Sequence, residues 1–237
     1  MMEKVSGGWQ RQPKKLNIQG EIEEAIKSIT GDEEINLIAS GRTDAGVHSF
    51  GQTANFVTKN DKIPIDKFAI AINSRLKKSI VIQSAEEVDE RFHSRYSVKS
   101  KTYKYIINNS PNGTAIYRGL ECHIPQKLNV DEMKKAAKYF EGEHDFKGFK
   151  ASGTSSKSSV RTIYSASVEN NRNKIEIVLT GNGFLYNMVR IISGTLVDVG
   201  LGKIKAEDIP NIIDSRDRNL AGKTLPAHGL YLMKVEY

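Results

Sequence analysis

The sequence predicts an α+β fold in two parts, on three observations. Segments of helical and of strand periodicity alternate along 237 residues, a length that suits one large domain or two small ones with a real core. The alternation restarts near residue 100. Each part holds strands and two helices, roughly a βαββαβ count. No sequence repeat joins the parts, so pattern alone does not show a duplication.

In chain order, Ile18, Ile22, Ala25, Ile26 and Ile29 fall at helical spacing, with Glu21, Glu23, Glu24 and Lys27 on the other face. Gly31 is the natural breaker at the end of that helix. Residues 35–39 and 53–57 read as strands, Phe68, Ile72 and Leu76 as a second helix, and residues 80–88 as a strand centred on Val81 and Ile82. Residues 102–107 are β-branched and aromatic, and Asn108-Asn109-Ser110-Pro111-Asn112-Gly113 signals a loop. Asp131 is placed to cap a helix whose apolar side is Met133, Ala136, Ala137 and Phe140. The Ser-rich stretch 152–159 cannot bury itself and is expected to be an exposed, mobile loop. Strands follow at 162–168 and 175–180. The clearest helix covers about 184–199, with Leu185, Met188, Val189, Ile192, Leu196 and Val199 on one face. A helix at 206–214 and a strand at 230–235 close the chain.

The net charge of +7 favours a polyanionic partner, because a positive field concentrates nucleic acid and speeds encounter. An ordinary basic soluble protein would carry the same balance. The single cysteine, Cys122, excludes an internal disulfide and suits a reducing compartment. No stretch approaches the roughly 18 uninterrupted apolar residues of a membrane span, and residues 1–8 lack the apolar core of a signal peptide. No membrane association is expected, and cytoplasm is the default location.

The most informative segment is Gly41-Arg42-Thr43-Asp44-Ala45-Gly46-Val47-His48, followed by Phe50-Gly51-Gln52, between the strands at 35–39 and 53–57. A carboxylate on such a connection is fixed by the sheet yet can face a cleft, where loops usually carry function. The same residues also make a plain turn in which Asp caps backbone amides.

The full string closely resembles the catalytic motif of the tRNA pseudouridine synthase A family. Further segments match the family in order: Gly8-Trp9-Gln10-Arg11-Gln12, Asn17-Ile18-Gln19-Gly20-Glu21, Arg91-Phe92-His93-Ser94-Arg95, Lys101-Thr102-Tyr103-Lys104-Tyr105, Gly183-Phe184-Leu185-Tyr186-Asn187-Met188-Val189-Arg190 and Gly229-Leu230-Tyr231-Leu232. The resemblance covers nearly the whole chain. It implies two ferredoxin-like, RNA-recognition-like βαββαβ halves around a central basic cleft, residues 1–100 carrying the Asp loop and 101–237 the Tyr and Arg motifs. It also implies isomerisation of uridine to pseudouridine at positions 38–40 of the tRNA anticodon arm, by a homodimer that needs no cofactor and no metal. In one respect the chain departs from the pattern. Family members usually begin with a strand ending in Tyr-Asp-Gly, whereas only Met1 to Gly7 precede Gly8, so either this start is late or the first half folds with a shortened edge strand.

The chemistry fits so small a set of residues. Uracil is detached at N1, rotated, and rejoined to the ribose through C5, with no electrons or groups exchanged with a second molecule. The resemblance assigns the nucleophile or base to Asp44, since a carboxylate with a pKa of about 3.9 is ionised at neutral pH. Whether it adds to C6 of uracil or acts at the ribose through a glycal stays open. Arg42 is assigned to hold the RNA when the target nucleotide flips out; a phosphate or turn contact is the alternative. Tyr103 is assigned to stack on the flipped base, against a plain core position, the role that suits Tyr105. Arg190 is assigned to pair with Asp44, against a solvated helix face.

Other signals are weak. Gly222-Lys223-Thr224 has Asp217 where a phosphate-binding loop needs its first Gly. His48, His93, His123, His144 and His228 show no metal-ligand spacing with Cys122 or one another. The serines of 152–159 lack a Gly-x-Ser-x-Gly context. The rival from another class is a non-catalytic RNA-binding module, which would need a Lys/Arg-Gly-Phe/Tyr-Gly/Ala-Phe pattern that the chain lacks. A third reading, an RNA-folding chaperone, differs from the enzyme only in turnover.

Overall fold

A computed structural model describes residues 8–10, 17–60, 62–153 and 158–237. Helices and a mixed sheet make the protein α+β. Its residues group into two compact units, Met1–Gly46 with Gln52–Val98, and Val47–Gly51 with Lys99–Tyr237.

In the first unit, α1 (Ile18–Thr30) starts where the Asn17 side chain accepts the Gly20 N–H at 2.9 Å and stops at Gly31, in left-handed backbone at φ 78°. Its apolar face, Ile22, Ala25 and Ile26, packs with Trp9, Ile35, Leu37 and the buried Phe68 and Ile72 of α2 (Ile65–Asn73). The strands of this unit are short, β1 (Ile38–Ala39) and β3 (Ala54–Asn55); the equally short β2 (His48–Ser49) belongs to the second unit. β1 pairs antiparallel with β3, Ile38 facing Asn55 and Ala39 facing Ala54. The strand expected at 80–88 has no ladder partner among the described residues. The backbone of Ile82 is satisfied by a side chain instead: Asn73 Nδ2 donates to its carbonyl at 2.8 Å, and its N–H donates to Asn73 Oδ1 at 2.7 Å. The shortened first strand falls on residues 1–7, outside the described residues.

The second unit carries β4 (Ser100–Asn108), β5 (Cys122–His123), α3 (Val130–Lys138), β6 (Gly142–Asp145), β7 (Val160–Asn171), β8 (Lys174–Gly181), α4 (Met188–Gly200), α5 (Ile209–Ser215) and β9 (Leu230–Glu236). The sheet runs β2-β9-β4-β8-β7-β6, with β5 also on β4. Its long strands β4, β7, β8 and β9, with α3 and α4 between them, form a βαββαβ unit in the order β9-β4-β8-β7, all antiparallel. Met133, Ala136 and Ala137 of α3 join Ile107, Ile177 and Leu179 of the sheet in one core. α4 is buried nearly all round, which fits its continuous apolar run.

Two helix starts differ from the sequence expectation. α3 is capped by Asn129, whose Oδ1 accepts the Glu132 N–H at 3.2 Å, so Asp131 lies in the first turn, where its charge suits the helix dipole. α4 begins at Met188, because Asn187 adopts left-handed backbone at φ 60° and ends a turn rather than continuing a helix. Of the Ser-rich loop, residues 154–157 lie outside the described residues.

Candidate active site

Asp44 sits on the excursion that leaves β1 and returns at β3. Paired strands close the base of this excursion, and side chains lock it. The Ser40 N–H donates to the Thr53 carbonyl at 2.8 Å, Gln52 Nε2 to the Gly41 carbonyl at 2.8 Å, and Ser40 Oγ to Gln52 Oε1 at 2.6 Å. Ser94, fully buried, holds both strands beneath, its N–H donating to Asn55 Oδ1 at 2.9 Å and its hydroxyl to the Ile38 carbonyl.

The strap Gly8-Trp9 backs the loop at Asp44 itself. The Trp9 N–H donates to the Thr43 carbonyl at 3.1 Å. The strap is tied in turn to the start of α1, where Ile18 N–H donates to the Gly8 carbonyl at 3.3 Å and Gln19 N–H to the Trp9 carbonyl at 3.0 Å. Asp44 is half-buried and Arg42 exposed, and among the described residues no hydrogen bond or ion pair engages Arg42.

Beyond Gly46 the chain enters the second unit, where β2 pairs parallel with β9, His48 facing Tyr231 and Ser49 facing Leu232. The Phe50 N–H donates to the Leu232 carbonyl at 2.9 Å. Gly51 approaches β9 so closely that an added Cβ would stand 2.4 Å from the Met233 carbonyl oxygen. The His48 ring stacks on Tyr231 at 4.7 Å and hydrogen-bonds the Gly119 carbonyl at 3.0 Å. Tyr231 donates its hydroxyl to the Leu120 carbonyl at 2.6 Å, and burial, then the Glu121 charge, push its pKa up to about 12.

Tyr103 lies on β4, half-buried, at a register shift against β9 between Thr102 and Tyr103. Its ring meets Phe184 edge-on, with centroids 5.2 Å apart. Tyr105 shares its face by strand alternation but is fully buried and donates to the Pro226 carbonyl at 2.7 Å, a core role. Phe184 immediately precedes the turn, closed by the Met188 N–H on the Leu185 carbonyl at 3.0 Å, that leads into α4 and Arg190. Arg190 is half-buried rather than on a solvated face. Its Nε donates to the Leu225 carbonyl at 2.6 Å and one terminal nitrogen to Asn187 Oδ1 at 2.7 Å.

That grip depends on two glycines. A Cβ on Gly194 would stand 1.8 Å from the Lys223 carbonyl oxygen, and one on Gly222 2.5 Å from Gly194 backbone. Gly222 also donates its N–H to Thr195 Oγ1 at 2.9 Å. The segment Gly222-Lys223-Thr224 is therefore a seam along α4, which brings Leu225 to Arg190.

Known proteins match this chain along its length. A family model described as "tRNA pseudouridine synthase" matches residues 4–97 and 136–237. The chain belongs to the tRNA pseudouridine synthase family. Among relatives named tRNA pseudouridine synthase A, that of Caldicellulosiruptor bescii is 53% identical over 97% of this chain and 93% of its own. That of Acetivibrio thermocellus is 50% identical with the same coverage. A Clostridium perfringens relative, tRNA pseudouridine synthase A 2, is likewise 50% identical over 97% of this chain and 93% of its own. Pseudouridine synthases are isomerases, so this chain is an enzyme.

Within this synthase the four motif residues fall in two sets. Arg42 and Asp44 share one loop of the first unit, while Tyr103 and Arg190 are joined through Phe184 and its turn in the second. Sequence reading missed three supports: the Gln52 clasp, the Gly8-Trp9 strap, and the Leu225 carbonyl on Arg190. Gln52 was visible as part of the motif, but its bond to Gly41 depends on strand pairing across the loop. Like His48, two further histidines are carbonyl partners, His123 with Ser110 at 2.8 Å and His144 with Glu141 at 2.9 Å, while His93 Nδ1 accepts the Arg95 N–H at 3.1 Å.

Proposed function

We propose that this enzyme isomerises uridines 38–40 in the anticodon arm of tRNA, with Asp44 as the nucleophile and no cofactor. The observation that carries the reading is the Asp44 loop. A half-buried carboxylate sits on backbone held from behind by Trp9 and at its base by Gln52, in a chain of the tRNA pseudouridine synthase family. Such fixation suits a group that must meet a reacting carbon at a set angle.

The bond from the ribose to uracil N1 breaks, and one to C5 forms. The C5 proton leaves to solvent, and N1 gains a proton. Asp44 begins this either at C6 of uracil or at the ribose. Arg42, exposed and unengaged among the described residues, fills the space of the flipped nucleotide. Tyr103 lies against the base, its ring already oriented by Phe184. Arg190 pairs with Asp44. The net charge of +7 supplies phosphate affinity for the tRNA body, read by a homodimer in the cytoplasm.

Tritium release from tRNA labelled at uridine C5 tests the reading. Stoichiometric release, lost when positions 38–40 carry no uridine, is expected. Tight binding without release would assign the chain to RNA binding or chaperoning instead, and release undiminished by those substitutions would move the target elsewhere.

A further inference from the structure

The Gly8-Trp9 strap makes a contact that the reaction chemistry does not use. Gly8 has φ +71°, and a Cβ built on it would lie 2.9 Å from the Ala45 nitrogen, 2.9 Å from the Thr43 carbonyl oxygen and 3.1 Å from the Asp44 carbonyl carbon. All three neighbours are backbone atoms of the Asp44 loop, so none can swing aside as a flexible side chain would. The strap cannot retreat easily either, since Trp9 is buried in the core with Ile22 and Ile26 and the strap carbonyls accept the first N–H groups of α1.

We infer that Gly8 is a positioning residue for the reaction: its missing side chain lets the strap seat against the backbone of residues 43–45, and this contact sets where the Asp44 carboxylate points. The inference rests on Asp44 being the reactive group. Adding one methyl group at residue 8 pushes the loop by the few tenths of an ångström to an ångström needed to relieve those contacts. A misplacement of about 1 Å at a reacting group can cost about 100-fold in rate. Phosphate contacts spread over the basic surface carry most of the affinity for tRNA, so binding is expected to change far less than turnover.

A second glycine separates positioning from simple loss of stability. Gly31 has nearly the same left-handed backbone, φ +78°, but an added Cβ there meets nothing within 4 Å. Gly31→Ala therefore carries the conformational strain of Gly8→Ala without the collision. Turnover and KM for tRNA are measured for both variants below their melting transitions, together with the emission of Trp9, the chain's single tryptophan. Gly8→Ala should lower kcat at least tenfold, an order-of-magnitude expectation from loop misplacement, with KM nearly unchanged and a shifted Trp9 emission. Gly31→Ala should keep kcat and emission. Equal kcat in the two variants, or a loss in Gly8→Ala confined to KM, would overturn the inference.

If Gly8→Ala unfolds at the assay temperature, both variants are assayed in trimethylamine N-oxide, which favours the compact state. Recovery of the Gly31→Ala turnover there would also overturn it. Asp44→Ala in the same assay keeps the two claims apart. Its full activity would remove the nucleophile reading, whereas its inactivity beside an unaffected Gly8→Ala would remove only the strap.

Discussion

Arg190 Nε donates to the Leu225 carbonyl oxygen at 2.6 Å, a charge-assisted bond between a helix and the seam segment beside it. With the second bond to Asn187 Oδ1 at 2.7 Å, the plane of the guanidinium is set before any substrate arrives. This fixation suits a partner for a catalytic carboxylate better than a solvated arginine would.

Arg190→Lys tests that fixation. A lysine keeps the charge, but its ammonium cannot reproduce the planar fork. Losing one hydrogen bond to a charged group costs about 1.5–3 kcal/mol, so turnover should fall about tenfold or more while tRNA affinity changes little. Asn187→Gly is the subtler probe, because it keeps the left-handed backbone at φ 60° easily and removes only the Oδ1 acceptor. Its turnover should fall several-fold with the melting temperature nearly unchanged. Wild-type turnover in both variants would make the grip on Arg190 purely structural.

Asp44→Asn and Asp44→Ala should abolish pseudouridine formation and leave tRNA affinity within about tenfold, because phosphate contacts supply most of it. Tritium release and filter binding on the same preparations report the two quantities. Substantial turnover in Asp44→Ala would return this residue to the role of a turn cap.

Tyr103 and Arg42 are expected to fail differently. Tyr103→Phe keeps the edge-on contact with Phe184 at 5.2 Å and the stacking face, so stability and binding should hold while turnover falls through the lost hydroxyl. Arg42→Ala removes no described contact and should leave the melting temperature unchanged. It should instead erase the fluorescence change of a 2-aminopurine placed beside the target uridine. A normal signal in that variant would show that flipping proceeds without Arg42.

What the sequence revealed follows from how local the signals are. Helix α1 was legible along its face and at its end because its apolar spacing and its breaker, Gly31, lie within the segment, whereas its cap, Asn17, was not singled out. The Asp44 motif was legible because its residues are contiguous. The strand at 80–88 misled because Val81 and Ile82 carry strand propensity, while the bonds of Ile82 go to Asn73 nine residues earlier. The Leu225 contact on Arg190 spans 35 residues and depends on Gly194 meeting Gly222, which no local pattern records. The placement of Val47–Gly51 with the second unit was hidden for the same reason, since its strand partner lies at the far end of the chain.

Two carboxylates, one just before β6 and one at its end, should shape the acid limb of stability. The Lys138 ammonium, then the Ala166 N–H, hold Glu141 below its ordinary value of 4.5. The Ser159 hydroxyl foremost, with the Lys147 N–H and the Arg216 charge, outweighs burial and holds Asp145 below 3.8. Both groups bind a proton more readily unfolded than folded, so their stabilisation is full above the unfolded values and is lost as pH falls through the lower folded ones. The melting temperature should thus be nearly flat from neutral pH to about 5 and decline below that. Glu141→Gln should start lower at pH 7 and decline less steeply. Parallel curves for the variant and the wild type would show that other groups govern acid unfolding.

Gly51→Ala concerns the exit of the Asp44 loop. Its Cβ would stand 2.4 Å from the Met233 carbonyl oxygen and 2.8 Å from the Lys234 Cα, both backbone atoms of β9. β9 is paired to β4 on its other side and cannot shift alone, so β2 has to give way. Overpacking of this kind costs about 1–3 kcal/mol, and here the strain falls on a parallel pairing only two residues long. The expected result is local release. The Phe50 and Gly51 amides, which donate to the Leu232 carbonyl at 2.9 and 3.3 Å, should lose protection in native-state hydrogen exchange while those of β4 and β8 keep theirs. Phe50→Ala supplies the contrast. It removes a 71% exposed ring that stacks on Tyr231 at 5.9 Å, yet it leaves the backbone seat intact, so both amides should stay protected. If Gly51→Ala keeps those amides protected as well, β9 yields rather than β2, and the loop exit is not held by this contact.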